Sequence, residues 1–188
     1  MSADENSVTV WDPVVRIFHW TVVAGCLANL FILEDGGRAR EVIGYAVAAV
    51  LAVRIVWGFV GTRYARFTDF VPNRRRLVQY LTLVAQGREP RQIGHNPAAA
   101  VMMLVLMALL AAVSVTGWMA TLDAFWGVEW VEELHEGTAE AILWLALIHA
   151  AAAIYESMRH RENLVWAMVT GWKTEWKQVD QGRDRDLK

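Results

Sequence analysis

The chain of 188 residues contains a single cysteine, Cys26, which excludes an internal disulfide. It also has no Cys-x-x-Cys-His sequence, so a c-type haem cannot be attached covalently. The regular alternation of apolar and polar residues that is typical of membrane β-barrels is absent as well. Any haem must therefore be bound noncovalently, and any segment that crosses a membrane must be helical.

Hydrophobic residues make up 55% of the chain, which is too many for an ordinary soluble domain. They are gathered in four blocks, each long enough to cross the hydrocarbon core as a helix. The blocks are residues 14–33, 42–60, 97–122 and 134–155. We therefore predict an all-α fold: an integral membrane four-helix bundle that forms one domain over residues 1–188, with a cytoplasmic loop at 61–96 and a cytoplasmic tail at 157–188.

The charges between the blocks predict an orientation. Residues 61–96 contain seven arginines against two carboxylates, whereas residues 123–133 contain four carboxylates and no basic residue. The positive-inside rule then places both termini and the central loop in the cytoplasm of a multi-pass protein of the bacterial inner membrane. Because the start of the chain is polar and acidic, we expect the first helix to be an uncleaved anchor. Residues 73–86 and 162–176 are partly amphipathic, which predicts helices that lie on the membrane surface.

The spacing of two histidines gives the first indication of function. His135 and His149 are fourteen residues apart in the last apolar block, which is close to four helical turns. Both imidazoles would lie on one face, separated by a rise of about 21 Å. Such a helix could hold two redox centres stacked across a membrane. A single histidine in a helix bundle is more often a hydrogen-bonded packing residue than a metal ligand. The depth of each histidine in the membrane is therefore needed to distinguish the two roles.

Depth pairs His149 with His19. Each lies seven residues from a polar residue at the predicted cytoplasmic boundary, Asp12 for His19 and Glu156 for His149. Both histidines therefore sit roughly 10 Å into the membrane from the same side. Two neutral imidazoles that bind a haem iron axially would offset the cost of placing ionisable groups there. Zinc fits less well, because no cluster of Cys, Asp or Glu accompanies them. We predict a haem b between His19 and His149.

The opposite, outer end has no such pair. His135 would need a ligand from the first or second helix, but the residue at the expected position is Arg40, which is not a normal iron ligand. Arg54, fourteen residues further on, lies near the level of the inner pair and could bind haem propionates. Snorkelling of Arg54 to the nearby interface is an equally good interpretation. Arg16 is a weaker candidate for the same propionate role.

Seven short motifs follow one another between residues 11 and 171. They are Arg16-Ile-Phe-His19-Trp20, Gly44-Tyr45, Arg54-Ile-Val-Trp57-Gly58, Gly94-His95-Asn96-Pro97, Leu134-His135-Glu136, Ile148-His149-Ala150 and His160-Arg161-Glu162-Asn163-Leu164. In this order they resemble the bacterial cytochrome b561 family, which includes the cytochrome b subunits of membrane-bound nickel-iron hydrogenases.

The resemblance implies a four-helix bundle with two b haems that exchange electrons between the membrane quinone pool and a redox partner. It implies that His19 and His149 ligate the inner haem, and it makes Gly44 a candidate cofactor-binding residue. It also implies that His135 ligates an outer haem together with a histidine four residues before Gly44, where this chain has Arg40. Three alternatives stay open for the outer haem: it is absent, it is bound through His135 alone, or a partner protein completes it.

We therefore predict a haem b electron-transfer protein that connects the quinone pool with a periplasmic partner, a c-type cytochrome or a hydrogenase-like protein. A redox carrier or oxidoreductase subunit is favoured over a stand-alone enzyme. The alternative is a superoxide:quinone oxidoreductase, in which Arg38 and Arg40 attract a small anion, although nearby carboxylates oppose this. A bundle without cofactor is a third interpretation, which the motifs disfavour.

Membrane lipid and quinone are expected partners, nucleic acid is not, and a homodimer stays open. We assign no catalytic residue and no quinone site, because several apolar clefts would qualify.

Overall fold

The computed structural model describes residues 7–33 and 37–174. Four of its helices are long and apolar enough to cross a membrane. In chain order the elements are β1 (Ser7–Thr9), α1 (Pro13–Leu27) with a π-helical turn (Ala28–Ile32), α2 (Arg38–Val60), α3 (Phe67–Phe70), α4 (Arg74–Ala85), α5 (Pro97–Met119), a 3-10 turn (Asp123–Phe125), α6 (Glu129–His160), α7 (Leu164–Thr170) and β2 (Trp172–Thr174). The predicted all-α bundle with four spans is confirmed.

Side-chain caps fix where two of the long helices begin. The Asp12 carboxylate accepts a hydrogen bond from the backbone N–H of Val15 at 3.0 Å, and Pro13 occupies the first turn of α1. Asn96 does the same for the N–H of Ala99 at 2.7 Å at the start of α5, where Pro97 follows. Proline suits the first turn because its missing N–H has no helical partner there.

The helices do not end where the apolar blocks end. The second helix begins at Arg38, four residues before its block, and α6 runs five residues beyond its block at each end, from Glu129 to His160. The third helix stops at Met119, three residues before the end of its block, and the first ends in a π-helical turn at Ile32. Hydropathy marks only the part of a helix inside hydrocarbon, and backbone hydrogen bonding continues through the polar interface.

The two expected surface helices have different outcomes. The first, predicted at 73–86, forms as α4. The second, predicted at 162–176, is wrong beyond residue 170, because Gly171 adopts φ 89°, ends α7 and leads into β2. β2 pairs antiparallel with β1, and the Gly171 carbonyl accepts from the N–H groups of Val10 and Trp11 at 2.9 and 3.1 Å. The last 14 residues of the predicted tail, 175–188, lie outside the described residues.

The small sheet, α4 and α7 lie at one end of the bundle, which we call the sheet end; the opposite end, with the 3-10 turn, is the far end. α1 packs on α2, α2 on α5 and α5 on α6, whereas α1 and α6 make few close contacts. The main core lies between α2, α5 and α6 and consists of Val47, Leu51, Met107, Leu110 and Ile142. A second core at the sheet end consists of Val10, Trp11, Val15, Ala65 and Ala167. The bundle is therefore a chain of three packed pairs that leaves a gap between α1 and α6.

Candidate cofactor site

His19 and His149 face the gap between α1 and α6. The two imidazoles come within electrostatic range of each other. The Nδ1 atom of His19 is buried and has no hydrogen-bond partner among the described residues. The His19 ring touches Trp20 edge-on, with 5.0 Å between centroids. The two imidazoles are thus neighbours that come from helices with few close contacts to each other.

Arg54 is buried beside this pair and does not snorkel to the surface. It is only 1% exposed, and its Nη2 donates to the Ala65 carbonyl at 3.2 Å. Its Cζ atom lies 5.5 Å from the centroid of the Phe67 ring. The Nη1 atom is buried without a hydrogen-bond partner in the described part of the chain. A buried guanidinium with an unused donor suits a carboxylate of a bound cofactor.

Asp12 connects the start of α1 with this arginine. Its carboxylate accepts from Trp57 Nε1 at 2.9 Å and from Thr62 Oγ1 at 2.6 Å, besides capping α1. Burial would raise the pKa of Asp12, but these hydrogen bonds outweigh burial and lower it, so the group stays ionised. Its negative charge also acts on Arg54. The network fixes α1 and α2 relative to each other at the sheet end, where α1 begins.

The structure adds His95, to which the sequence assigned no role. Its ring lies between Trp11 and Phe70, with centroid distances of 4.6 and 4.9 Å. It comes within electrostatic range of Arg54 and His149, and its Nδ1 is buried without a partner among the described residues. In the sequence, His95 could be noticed only through the Gly94-His95-Asn96-Pro97 motif. Its position close to Arg54 and His149 follows from the fold.

Burial, reinforced by the charges of Arg54, Lys173 and His149, lowers the pKa of His95 to about 3. The ring is therefore neutral at any physiological pH.

This shift predicts a pH dependence of stability. The unfolded chain protonates His95 below its ordinary pKa of about 6.5, whereas the folded chain does not. His95 therefore destabilises the fold by roughly 1 kcal/mol per pH unit as the pH falls from about 6.5 towards 3. The variant His95→Phe keeps an aromatic ring between Trp11 and Phe70. We expect its melting temperature in detergent to fall less between pH 7.5 and pH 5.5 than that of the parent. Parallel pH profiles for the two proteins would contradict the assignment.

The far end of α6 holds His135 beside Thr116. The His135 Nδ1 and Thr116 Oγ1 atoms are 3.1 Å apart. The Thr116 hydroxyl also donates to backbone carbonyls of its own helix, Ala112 at 2.9 Å and Val113 at 3.2 Å. The Thr116 proton has carbonyl acceptors on its own helix, and the His135 ring also has the Val113 carbonyl as a partner, which together favour a proton on Nδ1 and leave Nε2 as the acceptor. That tautomer is the one an iron ligand needs.

Arg40 stands where a second imidazole would be required. Its charge comes within electrostatic range of His135, and its backbone carbonyl lies 3.5 Å from Asn29 Nδ2. The other histidines that the structure describes lie at the sheet end or in the gap. The far end therefore offers one axial nitrogen and one permanent cation.

Two further predicted site residues lie elsewhere. A Cβ atom on Gly44 would meet nothing within 4 Å, so this glycine does not allow a close contact within the chain itself. Arg16 donates through Nη2 to the Val169 carbonyl, and its buried Nε has no partner among the described residues. It lines a cleft between α1 and α2.

The donor set at the sheet end fits a haem. Two imidazoles face one gap, and the buried Nη1 of Arg54 is an unused donor next to it. Within the described residues no three His, Cys, Asp or Glu side chains come together as a metal cluster, which favours a porphyrin over a bare ion. The far end fits only half of a bis-histidine site.

Known proteins that are similar to this chain are b-type cytochromes. The family model for prokaryotic cytochrome b561 matches residues 10–171. A probable Ni/Fe-hydrogenase B-type cytochrome subunit of Rhodobacter capsulatus is 29% identical over 217 residues, covering 90% of this chain and 82% of that protein. The corresponding subunit of Bradyrhizobium diazoefficiens is 25% identical over 210 residues, with coverages of 88% and 85%. No solved structure matches the chain.

Proposed function

The chain belongs to the prokaryotic cytochrome b561 family, and from this premise we propose that it relays electrons between the quinone pool and a periplasmic redox partner through haem b. Family membership itself makes it a multi-pass b-type cytochrome of membrane electron transfer. The observation that supports the proposal is that His19 on α1 and His149 on α6 are neighbours, although the two helices make few close contacts. The haem would supply one-electron redox chemistry at that place.

The residues around the gap have separate tasks in this proposal. His19 and His149 would hold the iron, and Arg54, whose Nη1 has no partner among the described residues, would bind a propionate. His95 stays neutral and donates or accepts one hydrogen bond without adding charge. The Trp11 and Phe70 rings that contact His95 keep water away from this end of the site. These residues hold and insulate the redox centre, and none of them needs to react.

The orientation of the bundle supports a partner on the periplasmic side. In the orientation that we propose from the positive-inside rule, the sheet end with the arginines of residues 61–96 lies in the cytoplasm and the far end with the acidic segment 123–133 lies in the periplasm. Trp126 in that segment is 80% exposed. The relatives are named as hydrogenase cytochrome subunits, so a hydrogenase-like protein is the partner we propose, with a c-type cytochrome as the other candidate.

A superoxide:quinone oxidoreductase is the second candidate, favoured by one observation. Arg40 lies beside His135, whose Nε2 has no proton in the tautomer described above. The positive charge of Arg40 could attract a small anion to this end of the bundle. Stopped-flow consumption of superoxide that depends on added quinone would move this candidate ahead of the relay.

The relay is tested on the purified holoprotein reconstituted into liposomes. We expect a short-chain quinol such as decylubiquinol to reduce the haem, seen as b-type bands in the difference spectrum, to nearly the extent reached with dithionite. A haem that dithionite reduces and quinol does not would contradict exchange with the quinone pool. The absence of any b-type spectrum would contradict the proposal as a whole.

A further inference from the structure

The sheet end contains arginines that are paired and arginines that are not. Three ion pairs of 2.8 or 2.9 Å occupy carboxylates there: Arg66 with Asp69, Arg91 with Glu162 and Arg159 with Glu89. Arg74, Arg75 and Arg76 are the first residues of α4, and all three are exposed. Their side chains form no ion pair or hydrogen bond with the described part of the chain. Because α4 also contains no acidic residue, this helix carries a positive charge that the protein does not neutralise.

Hydrogen bonds hold α4 at the level where two of the spans end. The Tyr80 hydroxyl, on the buried side of α4, donates to Glu156 Oε1 at 3.1 Å, and Asn96 Nδ2 donates to the same oxygen at 3.2 Å. Glu156 lies four residues before the end of α6, and Asn96 caps the start of α5. The headgroup region of a bilayer begins where spanning helices leave the hydrocarbon. The fold therefore places α4 beside the lipid phosphates of one leaflet.

One exposed face of α4 combines an arginine with apolar side chains. Arg74, Val78, Leu81 and Ala85 follow one another at intervals of four, three and four residues, so they share one side of the helix. All four are exposed, Val78 by 56% and Leu81 by 48%. This side is roughly 120° around the helix from Tyr80. Apolar residues exposed at headgroup level are typical of an amphipathic helix that rests on the bilayer. Val78 and Leu81 can therefore reach the acyl chains while Arg74 stays among the phosphates.

Arg74 and Arg75 flank one open depression on the surface of α4, which Val78 and Gln79 complete. Two guanidinium groups beside one depression can bond different oxygens of a single phosphate, and a phosphate is held best by several charge-assisted hydrogen bonds. No carboxylate lines the depression to oppose an anion, and Val78 gives it an apolar wall. A phosphate that is joined to an acyl chain therefore fits this surface better than a free phosphate.

We propose that this surface binds an acidic phospholipid, whose phosphate lies on Arg74 and Arg75 and whose acyl chain lies along Val78 and Leu81. Net charge distinguishes this ligand from zwitterionic lipids. Phosphatidylglycerol keeps its negative charge, whereas the choline of phosphatidylcholine cancels the charge of its phosphate. Attraction to acidic lipid grows with each basic residue near the membrane surface. The site is independent of the proposed electron relay, because it lies on the outside of the bundle.

Competition between two lipids tests the site. The detergent-purified holoprotein is incubated with equal amounts of phosphatidylglycerol and phosphatidylcholine that have the same acyl chains, and native mass spectrometry measures which lipid stays bound. We expect the parent to prefer phosphatidylglycerol, and Arg74→Glu to reduce this preference by about fivefold or more, the scale of one basic residue at an acidic surface. Arg74→Lys, which keeps the charge, should retain most of the preference. Arg38→Glu is the matched control and should behave like the parent, because Arg38 is also the exposed first residue of a helix but lies at the far end.

A glutamate in the first turn favours a helix, so Arg74→Glu should not unwind α4. Haem content and melting temperature in phosphatidylcholine check the fold of every variant, and Arg75→Gln, which should also lower the preference, provides a second measurement. Equal retention of the two lipids by the parent, or the parent's preference unchanged in both Arg74→Glu and Arg75→Gln, would overturn the proposal. We expect phosphatidylglycerol, and not inorganic phosphate, to raise the melting temperature of the parent. Equal protection by inorganic phosphate would also overturn the proposal, because the site would then bind a free anion.

Discussion

His149→Ala should remove the b-type absorbance from the purified protein almost completely. The variant leaves one imidazole, His19, on a haem that otherwise has an axial ligand from each side. A single remaining ligand cannot hold a noncovalent haem in place as two do, and the chain has no cysteine motif to retain it covalently. The measurement is haem per chain together with the reduced-minus-oxidised spectrum.

His160→Ala is the matched control, since it removes a histidine from the same helix at its sheet end. This control should keep the spectrum of the parent. His19→Ala should reproduce the loss seen with His149→Ala, because the two ligands act on one iron. Retention of full b-type absorbance by His149→Ala would show that the pairing across α1 and α6 is wrong.

The four long apolar blocks were enough to predict the membrane bundle, because a span of this length must satisfy its backbone hydrogen bonds internally. The pairing of β1 with β2 was not predictable. Three residues at each end of the described chain meet only after the four spans have folded, and their sequences carry no strand period. The end of α7 at Gly171 was a local signal, a glycine with a positive φ, that the amphipathic pattern hid.

The depth of His19 and His149 could be counted along the chain because helical rise is constant. The direction of a side chain around its helix depends on packing that a single sequence does not state. The sequence was equally consistent with snorkelling of Arg54 to the interface and with its burial. The contacts of Arg54 with Ala65 and Phe67 show that it is buried. Arg16 lines a cleft between α1 and α2, and its binding of a propionate stays a prediction.

The same reasoning makes Arg40 the residue that sets the number of haems. In the far half of the bundle His135 already has the tautomer of an iron ligand, held by Thr116. The missing part is an opposing nitrogen, and Arg40 fills its place with a charge that cannot be lost at physiological pH. We therefore expect the parent protein to hold about one low-spin haem per chain.

Arg40→His should then raise the haem content from about one to about two per chain, since it supplies an imidazole opposite His135. It also removes a positive charge close to His135 that would repel a ferric iron. The new haem should be low-spin and six-coordinate, and it is measured by pyridine haemochrome per chain and by electron paramagnetic resonance. Arg38→His, two residues away and on another face of α2, is the control and should leave the content unchanged. Two low-spin haems in the parent, or no gain in Arg40→His, would show that Arg40 is not what interrupts the outer site.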